Sequence, residues 1–202
     1  MASSTTAIAN LAISHLGIGK EIANLETERS SEAQACRRFY ETARDVTLRD
    51  FPWPFATKIN AIGLVEEDPN DEWGFSYRYP TDCLMLRRIL SGLRNDNRQS
   101  RIPYRVTRDD SGLLIYTDAE DAELEYTIKE TDVGRFPADF TMAFSFLLAG
   151  YVAPRLTGGD PFKLGQRALE LYQIELSHAR LTAMNEEQSE ELPDSEFIRT
   201  RE

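Results

Sequence analysis

Residues 136–159 read FPADFTMAFSFLLAGYVAPRLTGG, and they decide which segment lies at the centre of the molecule. Pro137 stands at the start of a helix, where no amide donor is needed, and apolar side chains follow on nearly every side instead of in one stripe. A helix of that kind is surrounded by other elements. Ser145 and Gly150 interrupt the richest part, 142–153, which is too short to cross a hydrocarbon layer of about 30 Å. The pattern therefore predicts the most buried helix of a water-soluble domain, stopped at Pro154 or Gly158.

Moving outward, Asp160 and Pro161 form a cap followed by a proline at the first helical position, and the next helix runs to about Met184. At 100° per residue Leu164, Ala168, Leu171, Tyr172, Leu176 and Ala179 share a broad stripe. Ile174 and Leu181 fall on another side. They are either ordinary surface exceptions or a second face that meets a neighbouring subunit. Beyond them, 185–202 holds seven acids against Arg199 and Arg201 and closes on Phe197 and Ile198, which no local element would bury.

Upstream, 56–133 changes period. TKINAIGLV, FSYRYP, CLMLRRIL, IPYRV, GLLIYT and AELEYTIK are short runs rich in β-branched and aromatic residues, separated by turn-forming stretches such as DPND and RDDSG. Trp73, Phe75, Tyr77 and Tyr79 alternate, which makes either the packed face of a small sheet or a platform for stacking bases. Before this comes a strong helix over 31–50, with Cys36, Phe39, Tyr40, Ala43, Val46 and Thr47 at three- and four-residue spacing, and FPWPF at 51–55, where each proline forbids further helix. Ser3, Ser4 or Thr5 caps a first, shorter helix that stops at Gly17. It has no basic leader of an export signal.

The order is thus two helices, a β-rich insertion, two helices and a tail. It predicts an α+β protein: a mainly helical four-helix bundle formed by 1–55 and 134–185, a β-rich insertion over 56–133 between the second and third helices, and an extended acidic C-terminal tail over 186–202.

Chemistry is sparse. His15 and His178 are the two histidines, Cys36 and Cys83 the two cysteines, and no metal-spaced cluster, phosphate loop or nucleophile motif accompanies them. The reading points to no catalytic residue, no cofactor and no metal. A formal net charge of -11 disfavours gripping nucleic acid by counterion release. Charge is nonetheless uneven, since 87–108 holds seven arginines and one acid, Asp96. Such a stretch is either a set of solvated loops or, as expected here, one that pairs with acids of an adjacent subunit or a neighbouring ring, Arg94 and Arg98 foremost.

The segments SEAQACRRFYETARDVTLRDFPWPFA, YRYPTDCLMLRRI, FPADFTMAFSFLLAGYVAPRLTGG and PDSEFIRTR together resemble the head-to-tail adaptor of short-tailed bacteriophages, the tail tubular protein A type. The resemblance spans 7–201. It implies a non-enzymatic virion protein, assembled in the host cytoplasm as a homo-oligomeric ring, usually of twelve subunits. The ring would sit between the portal protein of the capsid and the tail nozzle protein, with DNA passing through its channel without specific binding, and with no membrane partner. It also implies that the tail reaches the portal, so that Pro193, Asp194, Phe197, Ile198, Arg199 and Arg201 form the portal-binding group. Two other readings stay open: a virion-associated peptidoglycan hydrolase, and a stopper or connector ring of a long-tailed phage.

Overall fold

The computed structural model describes residues 4–93, 100–158 and 161–186. Helix α1 (Thr5–His15) starts where the Ser4 hydroxyl accepts from the Ala7 amide at 3.0 Å, and the chain turns away at Gly17, whose φ of +74° suits a residue without a Cβ. Helix α2 (Ser31–Asp50) is capped in the same way by Ser30. Between them the connector is pinned by side chains. The Asn10 amide group donates to Ile22 O and accepts from Ile22 N, Thr6 Oγ1 accepts from Leu25 N, and the Arg37 guanidinium donates to Leu25 O and Glu26 O. Ile22 and Leu25 are thereby held in the core.

After α2 the proline-broken stretch folds as an aromatic plug. Trp53 is buried, donates its indole N–H to Thr47 O at 2.8 Å, and meets Phe51 and Phe140 edge-on, each with ring centroids 5.2 Å apart. Phe55 adds a similar contact to Phe140. This cluster seats the chain on the start of α3 (Ala138–Leu156) before it enters the strands.

Seven strands follow among the described residues: β1 (Thr57–Ala61), β2 (Leu64–Asn70), β3 (Trp73–Arg78), β4 (Cys83–Ile89), β5 (Tyr104–Asp109), β6 (Gly112–Thr117) and β7 (Glu123–Ile128). They are antiparallel and form two sheets, β1-β7-β4 and β2-β3-β6-β5. The run TKINAIGLV is therefore two strands, which part at Ile62 and Gly63 and join different sheets. The sheets pack face to face over Tyr77, Ile115, Leu86, Ile89, Leu124 and Tyr126. Phe75, Tyr77 and Tyr79 all point into this small core, so most of the aromatic row is occupied by packing and not presented for stacking.

The expected four-helix bundle is not what forms. Among the described residues there are four helices and seven antiparallel strands in two sheets, about 46% helix and 25% strand, so the β part is no mere insertion into a helical bundle. Among the helices, α3 is a hub: α1, α2 and α4 (Pro161–Asn185) each pack chiefly on it, and α1 and α2 barely meet. The cause lies in α3 itself. Phe140, Ala143, Phe144, Leu147, Leu148, Ala149, Val152 and Ala153 are buried around its whole circumference, whereas a bundle needs each helix to offer one stripe to a shared axis. The last described helix is α4, and of the tail expected over 186–202 only Glu186 is among the described residues.

The α3–α4 contact is close because small residues line it. Gly165 lies so near Gly150 and Ala153 that an added Cβ would stand 3.4 Å from both Gly150 O and Ala153 Cβ. A Cβ on Gly150 would come within 2.8 Å of Leu169 Cγ. Backbone approach replaces side-chain interdigitation at that crossing.

Candidate interaction surfaces

On α4 the buried stripe consists of Gly165, Ala168, Tyr172, Leu176, Ala179 and Ala183. It is rotated from the expected stripe: Leu164 is exposed and Leu171 only half-buried, because the glycine at 165 draws the helix in along a neighbouring line. Ile174 and Leu181, two turns apart, then fall on the side opposite the stripe, at 48% and 61% exposure. Lys163, Arg167, Glu170 and His178 border them, and Arg167 pairs with Glu170 at 3.4 Å. An apolar pair in a charged frame is a surface that a partner can cover at low desolvation cost.

The arginine-rich stretch divides by role. Arg87 turns inward. Its Nε donates to Thr127 Oγ1 at 2.8 Å, and its Nη2 lies 3.2, 3.0 and 2.8 Å from Leu48 O, Arg49 O and Phe51 O, the free carbonyls at the end of α2. One guanidinium thus ties sheet β1-β7-β4 to the helical part, and its burial lowers its pKa. Arg88 pairs with Glu125 at 2.7 Å across neighbouring strands. For these two, the expectation of a partner on an adjacent subunit is replaced by a partner within the chain. Arg105 pairs more loosely with Glu72 at 3.5 Å, both largely exposed. Arg94 and Arg98 lie outside the described residues, as do Pro193, Asp194, Phe197, Ile198, Arg199 and Arg201.

Several buried or half-buried polar groups make defined contacts within the chain. His15 Nε2 lies 2.9 Å from Ser145 Oγ, but Ser145 is fully buried and gives its one proton to Met142 O at 2.7 Å. The imidazole is then the donor, not a base, and it stacks on Phe146 at 3.8 Å between centroids. Burial lowers the His15 pKa, because the charged ring loses hydration there. Lys58 and Tyr126 both donate to Asp82, at 2.9 and 3.1 Å, and together hold its carboxyl below the usual carboxylate range; this network closes one end of the sheet pair. Tyr172 donates to Asp50 at the end of α2, where Arg180 also donates to Asp50 O, locking α4 to α2. The Cys36 thiol is buried, which pushes its pKa up to about 11 and leaves it a packing residue.

Among the described residues no three or more His, Cys, Asp or Glu side chains are placed to hold a metal ion. No helix among them is long and apolar enough to cross a membrane. A scan against protein-family models finds no match to the chain, and a search of curated proteins finds none either.

Proposed function

We propose that the protein is a structural, non-enzymatic component of a phage virion that forms a ring of about twelve subunits between the portal and the tail nozzle. The single observation behind this reading is the outer face of α4, where Ile174 and Leu181 stand exposed opposite the buried stripe. A repeated lateral contact needs an apolar patch of this kind on a rigid element. The likeness of the quoted segments to short-tailed phage adaptors supplies the rest: the partners, the DNA channel and the tail's role as a portal clasp.

The test is electron microscopy of the purified protein mixed with its portal protein. A ring seated on the narrow end of the portal supports the reading. A protein that stays apart from the portal in sedimentation, or that clears a peptidoglycan zymogram, overturns it.

A further inference from the structure

The four-stranded sheet carries opposite charge on its two edges. Edge strand β2, LVEEDPN, presents Glu66, Glu67 and Asp68, all exposed; edge strand β5, YRVTRD, presents Arg105 and Arg108, and its one acid, Asp109, is held by Arg78 through paired contacts of 3.0 Å. Register adds a second asymmetry. Leu64 pairs with Tyr77, Tyr77 with Ile115, and Ile115 with Val106, so one apolar row crosses all four strands on the face that looks into the sheet pair. The middle of the row, Tyr77 and Ile115, is buried. Its ends are not, with Leu64 at 50% and Val106 at 43% exposure, and Val65 and Tyr104 are exposed beside them. The opposing sheet has three strands against four, so it leaves the outer strands uncovered.

We infer that the β2 edge of one copy docks against the β5 edge of the next, a head-to-tail contact between copies of this chain. Leu64 and Val65 would cover Val106 and Tyr104, while Glu66, Glu67 and Asp68 face Arg105 and Arg108. Each copy carries both halves, so the contact is heterologous and propagates into a closed ring or an open filament. A continuous backbone ladder is not how the edges meet. Strand β2 is shifted twice in register, between Leu64 and Glu66 and between Glu67 and Asn70, Asp68 has a φ of +48°, and Pro69 has no amide donor. Side chains carry the contact, and Arg105 exchanges its exposed, weakly held Glu72 for the neighbour's acids. The inference stands on the sheet alone and not on the virion reading.

Charge exchange between the edges tests it. Arg105→Glu with Arg108→Glu makes both edges acidic; Glu66→Lys with Glu67→Lys makes both basic. In sedimentation velocity at low salt, the unaltered protein should associate with rising concentration, and each double variant should associate about tenfold or more weakly. An equimolar mixture of the two should recover association, as should the fourfold variant that swaps both edges. Circular dichroism melting checks that each variant is folded. Unaltered protein that stays monomeric at its highest soluble concentration, folded variants that associate like the parent, or a mixture that fails to recover would each overturn the proposal. The two readings separate cleanly. Variants that still form rings with portal sink the edge contact and leave the adaptor standing, whereas edge-dependent association without portal binding does the reverse.

Discussion

Replacing Arg87 should cost more than replacing any other described arginine, because among the described residues its guanidinium alone bonds both a strand side chain and the carbonyls that end α2. Its Nη2 has two hydrogens for three carbonyl oxygens, those of Leu48, Arg49 and Phe51, and its Nε has one for Thr127 Oγ1. Three charged hydrogens are thus engaged with neutral acceptors, each worth about 1.5–3 kcal/mol when fully dry. Arg87 is only half-buried, so water replaces part of that, and Arg87→Ala should lose roughly 2–3 kcal/mol. The helix end also loses a cation placed at its negative pole. For a chain of this size the melting temperature should fall by roughly 4–12 °C. Arg87→Lys should recover less than half of the loss, since one ammonium cannot reach a hydroxyl on β7 and the three carbonyls at the end of α2 together. Thermal melting followed by circular dichroism measures the loss, and amide exchange at the last turn of α2 should rise with it. Melting of Arg87→Ala within ~1 °C of the parent would refute the reasoning, because it would mean that the contacts form no part of what holds the two halves together.

Three further outcomes are expected. Ile174→Asp with Leu181→Asp should leave melting unchanged, because both side chains already face water, and should abolish ring formation with portal in negative-stain images. Phe197→Ala with Ile198→Ala should likewise leave melting unchanged and abolish co-sedimentation with portal, at roughly 1–3 kcal/mol per lost anchor; a lower melting point with normal binding would place them in the subunit's own core instead. His15 is depressed below its ordinary pKa near 6.5 by burial, so the unfolded chain takes up the proton first as pH falls. Stability contributed by the neutral ring is complete above about pH 6.5 and is lost below it. Urea unfolding between these conditions should show a slope that flattens in His15→Gln, and an unchanged slope would contradict the assignment.

Much of the local structure is legible in the sequence because it rests on near neighbours. The cap among Ser3, Ser4 and Thr5, which falls on Ser4, the stop at Gly17 and the proline block after α2 are all decided within a few residues, and the expected helix over 31–50 coincides with Ser31–Asp50. The arrangement of those elements is less legible. An all-round apolar helix such as α3 is compatible with any number of neighbours, so its pattern indicates burial but not whether three helices share an axis with it or each take a separate side. Gly165 inside α4 looks like a weak point for a helix, and only the distance to Gly150 and Ala153 shows that it marks the crossing.

The strands show the same division more sharply. Period-two alternation finds Leu124, Tyr126 and Ile128 on one face of β7, but pairing between strands depends on partners dozens of residues away, so nothing local tells that β1 joins β7 while β2 joins β3. Arg87 and Arg108 belong to one basic run in the sequence, yet one is drawn inward to the end of α2 and the other stays on the edge strand β5. A charge run is therefore not a unit of function. Its net sign can steer a partner only from those residues that folding leaves exposed and at most loosely paired, and it is the topology that selects them, placing three acids on one edge of a sheet and two arginines on the other. Opposite poles on a single sheet would make self-contact favourable in one orientation and repulsive in the reverse, which is how the proposed edge contact is reconciled with a strong overall negative charge.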